Sequence, residues 1–436
     1  MGLLFTYGLT YGGAVVSLIN PFYGLLIYIC FAIIKPPALW HWSVPVGNYS
    51  RIIAIAFLLG WALNGFGKQR IVAGKSILWC LLGYWLWVTL STLFSADPSL
   101  GLPHVEYLAK IVLPFIAGLT LIDSEKKLKQ LFLTILGSCG FLAYEANLAY
   151  RGGYMFEQLG FLGIDNNSFS ILMAASFGLA LVFSLMETRL WRCLLLLGIA
   201  AAMAHVPMFA FSRGGMVGIG LATIVAIGVL PKTPRLVGAV SAVLLIGSVL
   251  AGPSVVKEFS TSFQNEQERD YSSQSRIDLW KDCTTTMFQN PLFGVGQEHW
   301  GVVAPSFGWP NGKEAHSLWF QTAAELGIPG VTFLASFYIC GVLVARRVAY
   351  ESVTPFSKNL GLAMQPAIIG FAVSAAFVTV EGFELPYYIV LLITSAAQIY
   401  SAESTLDAVS ESYDLLDDEP TNPEYAGSPA AEIAPA

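Results

Sequence analysis

Residues 168–186 read SFSILMAASFGLALVFSLM, nineteen consecutive positions without one charged side chain. About 20 apolar residues, rising 1.5 Å each, cross the roughly 30 Å hydrocarbon core of a bilayer as one helix. Further apolar runs occur at 52–66, 76–94, 107–122, 129–149, 191–211, 216–230, 236–251, 317–345, 361–380 and 386–401. Over all 436 residues, 55% are hydrophobic and only 12% charged, with a mean hydropathy of +0.62. That is about half the charged fraction of a soluble protein, so the surplus apolar surface must face lipid. The pattern predicts an all-α polytopic membrane protein of about 12 transmembrane helices.

Residues 3–34 are apolar as well, but Asn20-Pro21 interrupts them, which predicts either a pair of short helices or one kinked helix. This opening lacks the basic start and small-residue cleavage site of a signal peptide, and is expected to remain in the mature chain.

Basic residues gather in alternate connections: Lys68, Arg70 and Lys75; Lys126, Lys127 and Lys129; Arg189 and Arg192; Lys232 and Arg235; Arg346 and Arg347. By the positive-inside rule these loops are cytoplasmic, which sends 95–106, 150–167 and 252–315 to the opposite face. The chain then divides into membrane helices over 1–251, a large outer loop with amphipathic helices over 252–315, and membrane helices over 316–401. Residues 402–436 form an acidic tail, carrying Asp417, Asp418 and Glu419, that is expected to be disordered in the cytoplasm. No basic surface points to nucleic acid. The six cysteines form no close pair, so neither a disulfide nor a metal-ligand spacing is expected.

Polar groups without a topological reason mark function in a membrane protein. Arg213, in FSRGGMVGIG (211–220), occupies a very short outer turn where the positive-inside rule would not put it. Gly214 and Gly215 there allow a tight reversal and a close approach to a ligand; the bland alternative is an arginine snorkelling to the interface. In SSQSRIDLWKDC (272–283), Ser275 and Asp278 have capping-box spacing. Ile277, Trp280, Cys283 or Thr284 and Met287 would then share one face of an amphipathic surface helix. Arg276 would sit in its first turn, where free backbone N–H groups favour an anion; otherwise it pairs with Asp278 or Asp282. His316, where the outer loop re-enters the membrane, can take a proton near neutral pH or serve as a cap. Lys110 follows Glu106 at ion-pair spacing, or serves an anionic ligand. His41, His104, His205 and His299 read as interface or packing residues, and Trp300, Trp309 and Trp319 as interface anchors or sugar-stacking surfaces.

Together, AHSLWFQTAAELGIPG (315–330), SRIDLWKDCTTTMFQNPLFGVG (275–296) and the Ser-Arg-Gly turn at 212–214 resemble the O-antigen ligase superfamily of membrane glycosyltransferases. The amino-terminal NPFYGLLIYICFAIIKPP (20–37) is similar to the exosortase-associated branch. The resemblance implies a GT-C-like glycosyltransferase in the bacterial inner membrane with a periplasmic site. It implies transfer of a glycan from undecaprenyl diphosphate to an acceptor hydroxyl, classically the lipid A core, with no metal, cofactor or nucleotide sugar. His316 would be the base and Arg213 and Arg276 the diphosphate ligands; Lys110, read from its position alone, is a further substrate-binding candidate. One base opposite a departing diphosphate predicts inversion. Polysaccharide polymerases and protein O-oligosaccharyltransferases share the superfamily, and a lipid-linked sugar transporter is the reading from another class.

Overall fold

The computed structural model describes residues 2–67, 71–234, 236–238, 241, 271–380 and 383–417. Lys68, Arg70, Arg235, most of the apolar run 236–251, residues 252–270 of the outer loop, and Asp418 and Glu419 of the tail lie outside the described residues. Apart from one antiparallel bridge between Phe161 and Ile164, the regular structure among the described residues is helical. We number the helices α1 Gly2–Ile19, α2 Pro21–Ile34, α3 Tyr49–Leu63, α4 Lys75–Leu93, α5 Pro98–Leu121, α6 Glu125–Arg151 and α7 Asn166–Met186. They continue with α8 Leu190–Phe209, α9 Arg213–Val229, α10 Tyr271–Gln289, α11 Leu318–Glu351, α12 Pro355–Ser374 and α13 Leu385–Asp417. Among the described residues, nine helices are long and apolar enough to cross a membrane, and α3, α9 and Leu385–Ser401 are shorter apolar helices.

The opening stretch is two helices. The Asn20 carboxamide accepts from Phe22 N at 3.1 Å and caps α2, with Pro21 at the first helical position. The chain then doubles back so closely that a Cβ on Gly24 would lie 2.8 Å from Ser17. Cap chemistry also explains why helices begin before their apolar runs. α5 starts at Pro98 because Asp97 accepts from Ser99 N at 3.0 Å, well ahead of the hydropathy boundary at 107.

α7 is buried along most of its length and packs on α8, α9 and α12. Small residues set these distances: a Cβ on Gly178 would meet the backbone at Ala367, and one on Gly218 would overlap Ser374. α13 continues past residue 401 to Asp417. Leu406, Val409, Tyr413 and Leu416 keep a helical spacing there, and Pro420 follows.

One expected run is broken. α11 has non-helical backbone at Gly327 (φ 67°, ψ −167°), two residues before Pro329, so Leu318–Leu326 is a short helix and the longer span begins after the break.

Candidate functional site

A break inside a membrane helix leaves carbonyls without intrahelical donors, and lipid cannot supply them. The segment after α10 does. Val295 N donates to Ala324 O (3.0 Å), Gly296 N to Glu325 O (2.9 Å), and Ile328 N donates back to Pro291 O (2.9 Å). From α4, Ser91 Oγ donates to Glu325 O and Trp87 Nε1 to Leu326 O, both at 3.0 Å. Gly294 is in the left-handed region at φ 65°, and a Cβ there would lie 2.3 Å from the Glu325 carbonyl. The Pro-Leu-x-Gly-x-Gly and Glu-Leu-Gly-x-Pro-Gly stretches are thus two halves of one backbone joint.

The joint fixes the outer loop over α11. Leu279, Cys283, Trp300, Ala304, Ala315 and Ala324 form a small second core. Burial pushes the Cys283 thiol up, with Glu325 and Asp282 adding to the effect. On α10 the buried stripe is Ser275, Leu279, Cys283 and Thr286; of the expected face of Ile277, Trp280, Cys283 or Thr284 and Met287, only Cys283 lies on it. Small polar side chains allow close approach to α11, so α10 packs against protein rather than lying free on the membrane surface. The three tryptophans differ in setting. Trp300 is fully buried, Trp309 donates to Asp282 at 2.8 Å and Trp319 to Ala372 O at 2.8 Å.

His316 stands at the edge of this second core. Its backbone is left-handed (φ 51°), and both polar groups of Ala315 are taken. Ala315 N donates to Gln321 Oε1 at 3.1 Å, and Ala315 O accepts from Trp280 Nε1 at 3.1 Å. Ser317 caps the first half of α11. Gln321 also binds Thr379 (3.0 Å) and Glu325 (3.4 Å), so a buried polar chain braces the segment. Lys313 Nζ lies 3.5 Å from His316 Nε2. Burial first, then the charges of Lys313 and Arg276, push the imidazole down to about 4, with Asp165 opposing them. The ring is therefore neutral at physiological pH. Partial burial, with Asp165 and Glu298, pushes the neighbouring Glu314 carboxyl up.

Arg276 and His316 thus share one electrostatic neighbourhood, but not in the expected way. α10 is already helical at Tyr271, where the described residues resume, so Arg276 lies inside the helix and not in its first turn. Ser275 is no cap, and Asp278 is engaged by Gln274 and Lys281. Arg213 opens α9 behind the cap Ser212, whose hydroxyl accepts from Gly215 N at 3.3 Å. The reversal is made by Phe211 in the left-handed region (φ 51°), not by the glycines. Gly214 and Gly215 face Phe377, Ser170 and Pro207 at 2.8–3.0 Å from an added Cβ, so they serve helix packing. Phe377 in turn packs on Trp280, which brings the three segments carrying Arg213, Arg276 and His316 together.

Lys110 is not in this group. It pairs with Glu106 at 2.9 Å, which also holds Arg51 at 3.2 Å. Among the described residues its charge is engaged on the α3–α5 flank. His299 is an anchor: Nδ1 donates to Gln297 O at 2.8 Å and Nε2 accepts from Asp97 N at 3.2 Å.

Two groups near His316 were missed in the sequence. Asp165 caps α7 through Asn167 N and Ser168 N, and Asn166 beside it donates to Ala210 O at 2.7 Å, tying this cap to the Arg213 turn. An Asp-Asn-Asn-Ser sequence ahead of an apolar run is a readable cap signal. Lys313, three residues before the histidine, carried none. Among the described residues no group of three or more His, Cys, Asp or Glu side chains is placed to hold a metal ion.

Residues 198–335 match the family model described as O-antigen ligase, a segment containing Arg213, Arg276 and His316. No curated protein matches the chain.

Proposed function

We propose that this chain, a multi-pass membrane protein of the O-antigen ligase superfamily, transfers a glycan from undecaprenyl diphosphate to an acceptor hydroxyl, most simply on a lipid A core. The observation that carries this reading is the contact of His316 Nε2 with Lys313 Nζ at 3.5 Å, with the charge of Arg276 acting on the same ring. A base under the charge of one guanidinium, with a second guanidinium on an adjoining segment, suits a displacement in which a diphosphate leaves.

In that reaction the acceptor oxygen attacks the anomeric carbon and its proton passes to His316. The bond from that carbon to the diphosphate oxygen breaks, and the leaving group keeps the electron pair. Arg276 and Arg213 balance the charge that builds on it. Attack opposite the leaving group inverts the anomeric centre, and the guanidiniums take the place of a metal ion. The isoprenoid chain needs a groove open to lipid. One of about 690 Å³ lies between α6 and α8, with Leu148 and Leu195 on its walls and Arg151, Asn147 and His205 at one end.

A transporter reading would use the break at Gly327 as an ion or substrate site. The carbonyls at the break are instead satisfied by residues 291–296 and α4, so the break serves the outer loop. Reconstitution with undecaprenyl-diphosphate-linked glycan, separate acceptors and EDTA tests the proposal. Glycan on a lipid A core supports it; product only on another lipid-linked glycan or on protein makes the chain a polymerase or a protein O-oligosaccharyltransferase. Strict metal dependence overturns the mechanism. His316→Ala is expected to lose at least ~100-fold in turnover while remaining folded. Arg213→Lys and Arg276→Lys should each weaken transfer, since an ammonium cannot form forked phosphate contacts.

A further inference from the structure

We propose that Lys313 belongs to the donor site: its ammonium binds the diphosphate beside Arg276, and in the empty protein it occupies His316 Nε2, so that the base is released only when the anion arrives. This rests on the donor reading given above.

An ammonium has three protons and no lone pair, so at 3.5 Å from Lys313 Nζ the His316 Nε2 can only be the acceptor. The imidazole is therefore neutral with its proton on Nδ1, and its basic lone pair is engaged. Ala315 is pinned on both sides and Ser317 caps α11, which fixes the backbone from which the ring projects. Lys313 is the movable partner, a charge on a flexible four-carbon stem. Among the described residues no carboxylate lies within ion-pair distance of it.

The charges around the ring complete the case. Arg276 on α10 adds to Lys313, whereas Asp165 at the cap of α7 opposes both. Glu314 in the same loop is neighboured by Asp165 and Glu298. A proton on the ring is thus disfavoured by two cations that a diphosphate would neutralise. When the anion binds, Lys313 exchanges a neutral nitrogen for a phosphate oxygen, a shorter charge-assisted bond. His316 is left with a free lone pair in a field that now favours the imidazolium. Basicity then follows occupancy, and the empty site has no strong base with which to activate water.

The full chain, purified in detergent with ¹³Cε1-labelled histidine, carries five such side chains, and His316→Gln identifies the signal of interest. Adding inorganic pyrophosphate is expected to raise the His316 titration midpoint by about one pH unit or more. In Lys313→Gln the midpoint should already be higher without anion and should move less, with pyrophosphate affinity about tenfold weaker. Lys313→Arg should stay near wild type, which separates lost charge from lost folding. An unmoved midpoint on adding pyrophosphate, or a Lys313→Gln midpoint equal to wild type, overturns the proposal. A response to phosphatidylglycerol but not to pyrophosphate would make this a lipid headgroup site and also overturn it. If no acceptor is glycosylated yet the titration behaves as described, the transfer reading falls and the anion-linked histidine stands. If transfer occurs with an unmoved titration, the transfer reading stands and the anion-linked histidine falls.

Discussion

At His316 the protein has made protonation costly before any substrate is present, and this has a consequence for stability. The unfolded chain titrates this histidine near the ordinary 6.5, whereas in the folded protein it is held down to about 4. Above pH 6.5 both states are neutral and the site contributes no pH dependence. As pH falls below 6.5 the unfolded chain takes the proton first, so folded stability declines until about pH 4, where both states are protonated. The thermal midpoint in detergent should therefore drop between pH 7 and pH 5 by more in wild type than in His316→Gln. Equal drops would show that the ring is not held in this field. The histidine itself was legible, since it stands alone at the border of an apolar run. Lys313 was not, because loop lysines are common and only the left-handed turn at His316 brings its ammonium to the ring. Asp165, some 150 residues earlier in the chain, reaches the same field only through the packing of α7.

At the scale of elements, the joint between residues 291–296 and the break in α11 holds the loop that carries the site. Gly327 has a backbone conformation open in practice to glycine, and an added Cβ would meet Pro291 O at 2.6 Å and Leu292 O at 2.8 Å. Gly327→Ala should cost about 3 kcal/mol or more, combining backbone strain with the clash. It should appear as a lower aggregation temperature and a loop open to limited proteolysis. Gly137, inside α6 with nothing within 4 Å of an added Cβ, is the contrast. Gly137→Ala should be neutral or stabilise by up to about 1 kcal/mol. A Gly327→Ala protein as stable as Gly137→Ala would mean that the joint carries no energy. Hydropathy located α11 but gave no hint of its break, because the donors that permit it come from a segment some thirty residues upstream and from α4, which is far more distant in the chain. The buried face of α10 was misread in part for a related reason: Ser275 and Thr286 score poorly as core residues yet are small enough to pack closely.

Across the whole molecule, the alternation of basic and non-basic connections becomes a separation of two ends. At one end Val72 N and Ala73 N donate to Gln398 Oε1 at 2.7 and 2.8 Å, and Lys129 lies over the Phe356 ring. Asp97 N with His299, Asn166 with Ala210, and Leu318 N with Val378 O join the loops of the other end. That separation was legible because the bilayer imposes it on the sequence. The folding of the outer loop was not, because protein packing sets it. Since basic connections stay in the cytoplasm, the end bearing His316 should face outward. Cysteine substitution tests this at two exposed positions, Asn311 in the loop before His316 and Lys358 at the start of α12. In a background with the native cysteines replaced, an impermeant thiol reagent applied to spheroplasts should label Asn311→Cys and spare Lys358→Cys until the cells are opened. The donor reading depends on this outcome, because a glycan already exposed on the outer face cannot reach a base on the inner one. Labelling in the opposite order would leave the local chemistry of His316 intact but remove the substrate it is proposed to act on.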